Sequence, residues 1–89
     1  MLNLPEVTTE QENEEFFNLV ANNIKKIRQA RGLSQLETAL SIGQASSGFY
    51  ANMENNAHAK HFNLLHLFKL SKLFDCDICE FFKEEDNRI

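Results

Sequence analysis

The sequence predicts an all-α fold, and three observations carry that prediction. Apolar residues recur at three- and four-residue steps, and strict alternation over a strand's length is absent. Helix-opening residues stand just before the apolar-periodic runs, twice as complete capping boxes. Breakers are sparse, with three glycines and a single proline, Pro5, in 89 residues. The chain is 43% apolar and 25% charged. That is enough for one domain, near the size at which a single core suffices. The length excludes barrel and doubly wound catalytic folds. No run approaches the ~18 apolar residues of a membrane-spanning helix. No basic-then-apolar leader opens the chain, and two cysteines are too few for a secreted disulfide scaffold. The expectation is a cytoplasmic protein with no membrane partner.

The elements follow in order. Thr9 and Glu12 form a T-x-x-E capping box. Behind it Phe16, Phe17, Val20, Ile24 and Ile27 make one apolar stripe through Arg31, a long amphipathic first helix. Gly32 supplies its stop. Ser34 with Glu37 opens a second helix, kept short by Gly43. A third begins at Ser46 or Ser47 and runs to about Asn55. Residues 55–62 read as a loop. Asn63 caps a fourth helix carrying Leu64, Leu67, Phe68, Leu70, Leu73 and Phe74, and Asp77 caps a fifth with Ile78, Phe81 and Phe82. The tail 83–89 is expected to fray. Leu36, Leu40, Leu64 and Phe68 are expected in the core with Val20, Ile24, Ala39, Tyr50, Met53 and Leu70.

Charge is segregated. The net charge of −4 speaks mildly against a nucleic-acid partner, but it is not evenly spread. Residues 1–15 carry five glutamates and no base; residues 16–74 carry seven basic side chains against Glu37 and Glu54; residues 75–89 return to −4. A basic middle between acidic ends fits either a solvated surface or a polyanion-binding core with acidic extensions. If the acidic ends fold back near the basic face, they weaken polyanion binding, and removing residues 1–8 and 84–89 strengthens it.

Three blocks carry a family likeness. Ile24-Lys25-Lys26-Ile27-Arg28-Gln29-Ala30-Arg31-Gly32-Leu33-Ser34-Gln35 resembles the I-R-x-x-R-x-x-x-G-[LW]-[ST]-Q segment of the lambda repressor, Cro and xenobiotic-response-element type helix-turn-helix regulators. Met53-Glu54-Asn55-Asn56 is similar to that family's I-E-N-G. Asn63 to Phe82 resembles its capped fourth helix, short turn and closing D-x-x-E-[LF]-F-like helix. The resemblance implies a compact all-α, five-helix helix-turn-helix domain with an extended N-terminal helix. It also implies a division into an acidic extension with the start of the first helix (1–15), the domain (16–82) and an acidic tail (83–89). The implied function is sequence-specific binding of double-stranded DNA by a small transcriptional regulator, acting as a dimer on two half-sites. Phe16, Phe62, Phe74 and Phe82 are left over to supply a dimer face.

In such a domain one helix lies across the phosphate backbone and the next enters the major groove. The resemblance gives Gln35 a DNA contact at the start of the crossing helix; the alternative is that Ser34 and Gln35 only cap and solvate it. It pairs Arg28 with Glu54 internally, which also keeps the Glu54 charge away from phosphates. Lys25, Lys26, Arg31 and Lys60 are candidates for phosphate attraction. Ser46, Ser47, Phe49, Asn52 and Asn55 are the candidate contacts of the reading helix.

That helix departs from the pattern. The family's turn glycine falls on Gly43, and Gln44 and Ala45 then lengthen the turn by one residue. Tyr50 and Met53 face the core, leaving Ser47, Gly48, Phe49, Ala51 and Asn52 outward, with no Arg or Lys among them. Base reading is expected to be sparse, with DNA shape contributing. Phe49 fits a thymine methyl, a core position or a protein contact. The runner-up function is therefore a protein-interaction module of antitoxin or anti-regulator type that keeps the fold with weak or lost DNA binding.

His58, His61, Cys76 and Cys79 form H-x2-H and C-x2-C spacings, which also occur in zinc and redox sites. Cys76 falls at a small apolar position of the resembled pattern, and free cysteine packs as a small hydrophobe. No metal, no cofactor and no catalytic constellation is expected, so the chain is not expected to be an enzyme.

Overall fold

A computed structural model describes residues 5–84 of the chain. Four α-helices and a closing 3-10 turn follow in order: α1 (Glu10–Ala30), α2 (Gln35–Ser41), α3 (Ser47–Glu54), α4 (Leu64–Phe74) and η1 (Ile78–Phe82). No strand occurs among the described residues. None of the helices is long and apolar enough to cross a membrane.

Each start is set by its cap. Thr9 Oγ1 accepts from the Glu12 backbone N–H at 3.1 Å while Glu12 Oε1 accepts from the Thr9 N–H at 2.9 Å. Ser34 and Glu37 repeat that reciprocal pair at α2. At α4 Asn63 caps, and His66 takes the place of the acidic third residue: its Nδ1 accepts from the Asn63 N–H at 3.1 Å. The stops are conformational. Gly32 (φ 71°) and Gly43 (φ 86°) end the first two helices in the left-handed region. Asp75 ends α4 there at φ 52°, and its side chain makes that conformation costlier than glycine would.

The core is one cluster: Val20 and Ile24 of α1, Ala39 and Ile42 at α2, Tyr50 and Met53 of α3, Leu67, Leu70 and Phe74 of α4, and Phe81 of η1. The long α1 packs against α3, α4 and η1, and α2 packs against α3 and α4. Asn23 on α1 clamps the end of η1, its Nδ2 donating to the carbonyls of Phe81 (3.0 Å) and Lys83 (2.8 Å).

Four corrections to the sequence reading follow from packing. The fifth helix is a 3-10 turn of five residues, because a segment that short has too few i→i−4 bonds to sustain an α-helix. Leu36 and Leu40 are exposed, 51% and 58%. α2 turns Thr38, Ala39 and Ile42 inward instead, and the small Ala39 lets it sit close to the core. Leu64 and Phe68 are exposed too: α4 is apolar nearly all round, and the stripe Leu67–Leu70–Phe74 wins the core. Phe74, expected as part of a dimer face, is fully buried. The expected frayed tail lies outside the described residues from position 85 onward.

Candidate nucleic-acid interface

Two short helices meet through a tight turn at the centre of this site. α2 ends at Ser41, the turn passes through Gly43, and Ser46 caps α3, its Oγ accepting from the Phe49 N–H at 3.4 Å. Tyr50 and Met53 point into the core as expected. Phe49 stands 44% exposed on the opposite face, and Gly48 and Ser46 beside it are exposed while Ser47 is half-buried.

A buried ion pair fixes this helix pair to α1. Arg28 Nε donates to Glu54 Oε2 at 2.9 Å and Nη2 donates to Oε1 at 2.8 Å, a bidentate fork with both side chains almost fully enclosed. The third Arg28 nitrogen donates to the Leu33 carbonyl at 2.7 Å, in the connection leading into α2. Gln35 Nε2 reaches the same carboxylate at 3.3 Å. Four positions on α1, α2, α3 and their connection therefore share one polar knot. Burial by itself raises the Glu54 carboxyl, but hydrogen bonds led by that from Arg28 outweigh burial and hold it below the usual carboxylate value. Tyr50 lies against this knot, fully buried; burial, with the Glu54 charge, pushes its hydroxyl well above the ordinary tyrosine value.

A second juxtaposition joins Phe49 to Lys60. The Lys60 ammonium lies 5.6 Å from the centre of the Phe49 ring. Residues from Asn56 to Lys60 fold back toward α3 because Asn56, His58 and Ala59 all adopt positive φ, between 52° and 55°. Asn56 Nδ2 bridges Glu14 and Asn18 of α1, each at 3.0 Å. His61 stacks face to face on Phe17 with centroids 3.7 Å apart.

The remaining candidates are placed as follows. Asn52 is half-buried on α3, and its carbonyl accepts from the Ala57 N–H at 2.8 Å. Asn55 is the exposed C-cap of α3. Lys25 (half-buried) and Lys26 (exposed) sit on α1, a different element from α3. Ser34 caps α2, leaving Gln35 half-buried at its first position. Sequence reasoning missed Asn56 as the tie between α1 and the loop. The signal was available, since Asn56 stands where the resembled I-E-N-G segment has glycine, and asparagine is the residue that best tolerates the left-handed conformation glycine supplies. Among the described residues no three His, Cys, Asp or Glu side chains come together as a metal site. Cys76 is half-buried against the core, whereas Cys79 is exposed.

An all-helical unit with two short helices joined by a glycine turn, the second braced from behind by a buried ion pair, defines a helix-turn-helix module. The helix-turn-helix family model matches residues 24–81, and the chain belongs to that family, the lambda repressor/Cro-like helix-turn-helix domains, which are DNA-binding regulatory domains. No curated protein and no solved structure showed a significant match to the chain.

Proposed function

We propose that this chain is a small cytoplasmic transcription regulator that binds duplex DNA with sequence preference, as a dimer on two half-sites. The observation that supports this most is the knot of Arg28, Glu54 and Gln35: it holds α3 at a fixed angle to α2 and keeps the only carboxylate of α3 occupied and enclosed. A reading helix needs that rigidity, and a free carboxylate on it would repel phosphate. Gln35, Ser46, Ser47, Phe49, Asn52 and Asn55 face the DNA in this reading, and Lys25, Lys26 and Lys60 supply attraction to the backbone.

The dimer seam we favour is the exposed apolar surface of Leu64, Leu65 and Phe68 on α4 with Ile78 of η1. Its rim carries both signs of charge, Lys72 lying over Phe68 and Asp77 capping the turn before Ile78. A patch with both signs at its rim suits a twofold contact with its own copy, in which the basic edge of each faces the acidic edge of the other. The same exposed surface, with the absence of Arg and Lys on α3, also favours a second reading, a module that binds another protein.

Selection from a random duplex library at two salt concentrations decides between them. A regulator enriches a defined sequence, its affinity falls steeply with salt, and replacing Lys25, Lys26 and Gln35 by alanine abolishes enrichment. A library that enriches nothing sinks the DNA reading.

A further inference from the structure

Phe49 is the one large aromatic side chain of α3 that the fold leaves outside, while its neighbour Tyr50 is fully buried. It sits in the first turn of α3, the part of a reading helix that meets base edges. Its approach is unobstructed, because Gly48 offers no side chain and Ser46 and Ser47 are small. Lys60 covers the ring from the loop side at 5.6 Å. Among the described residues Lys60 forms no ion pair with a carboxylate, so its charge faces only the ring and solvent. An exposed ring and an uncompensated ammonium thus stand side by side. In the major groove, an apolar group and an anion occur side by side where a pyrimidine C5-methyl neighbours the phosphate of its own strand.

We infer that Phe49 and Lys60 act as one reading element for a 5-methylpyrimidine, thymine in ordinary DNA. The ring covers the methyl group, and the ammonium binds the adjoining phosphate while holding the ring in place. Phe49 is the specificity-determining residue and Lys60 its positioning residue. The inference rests on the proposed DNA binding and adds to it which base feature is read without any hydrogen bond.

The test replaces thymine by deoxyuridine, one position at a time, in the duplex that the random-library selection enriches. This deletes a single methyl group and leaves the hydrogen-bonding edge intact. At one thymine per half-site the wild-type affinity should fall about fourfold, the fold-change equivalent to about 0.8 kcal/mol for one buried carbon group. Phe49→Ala, which removes the ring from both half-sites, should bind the thymine duplex as weakly as wild type binds the duplex with deoxyuridine at that position of both half-sites, with no further loss on removing either methyl. Lys60→Met should shrink the thymine preference, and Lys60→Arg should restore it, which a merely structural lysine would not do. Unchanged folding of Phe49→Ala is checked by its thermal midpoint. Salt-dependent binding that no deoxyuridine weakens would overturn this inference alone. Retained DNA affinity in Phe49→Ala would do the same and leave the ring to a protein partner. Failure to enrich any duplex would overturn the DNA reading and this inference with it.

Discussion

Arg28 and Glu54 show how a single pair of charges sets the site. The two side chains are enclosed and mutually satisfied, so removing one strands the other in a medium that solvates it poorly. Arg28→Met should cost about 3–5 kcal/mol in chemical denaturation, and pairing it with Glu54→Leu should recover part of that loss. The folded-state carboxyl of Glu54 lies below its ordinary 4.5, so its stabilisation is complete above that pH and is lost as the pH falls through the folded value. Glu37 and Asp77, each held down by the backbone N–H it caps, act in the same sense. His66 behaves similarly at higher pH. Burial, then the Lys69 charge, holds its ring below the ordinary 6.5, so its contribution is full above 6.5 and is lost as the pH falls through the folded value. Thermal midpoints should therefore fall in two stages on acidification, the upper stage vanishing in His66→Asn. A midpoint that stays level as the pH falls from 7 to about 4.5 would contradict the His66 assignment, and one that stays level on further acidification would contradict that of Glu54.

At the scale of the element, α4 is the informative case. Its sequence is apolar on nearly every face, and one stripe is enough to complete the core. The surplus of Leu64, Leu65 and Phe68 lies in solvent, with Leu64 79% exposed. A surface of that kind on a small domain usually meets a partner. If the partner is a second copy, Phe68→Asp should convert the protein to monomer in sedimentation equilibrium while leaving its helical circular dichroism intact. The same variant should weaken binding to a two-half-site duplex far more than to a single half-site. A wild type that is monomeric at all concentrations would remove this seam from consideration. α2 poses the same question on a smaller scale, because turning Ala39 inward leaves Leu36 and Leu40 outside.

For the molecule as a whole, the acidic residues from Glu10 to Glu15 are part of the folded unit. Glu10, Glu12, Glu14 and Glu15 lie on the first two turns of α1, ahead of the region the family model covers. Glu14 is tied through Asn56 to the loop that follows α3, and His61 of that loop stacks on Phe17. The Glu14 carboxylate is thereby held on the side of α1 that meets this loop. Deleting residues 1–8 removes Glu6 and leaves the other four in place. Replacing those four by glutamine is the sharper experiment. It should raise DNA affinity several-fold at low salt, and the gain should shrink as ionic strength rises and the Debye length falls to about 8 Å. Equal affinity at every salt concentration would mean that the extension points away from the DNA.

Local sequence signals set the four α-helices and most of their limits. Thr9, Ser34, Ser46, Asn63 and Asp77 were legible as caps, and Gly32 and Gly43 as stops, because these effects act within four residues along the chain. The Arg28–Glu54 pair was legible through the family likeness, and the inward faces of Tyr50 and Met53 through helical spacing. Which of two competing apolar stripes is buried was decided only in three dimensions. On α2 and α4 each stripe satisfies the helical period equally, and the choice depends on how closely neighbouring helices can approach, as the small Ala39 and the enclosed Phe74 show. The reduction of the last helix to a 3-10 turn, the tie of Glu14 to Asn56 and the meeting of Lys60 with Phe49 belong to the same class. Each joins residues far apart in sequence or depends on a packed neighbour, and no local periodicity encodes such a distance.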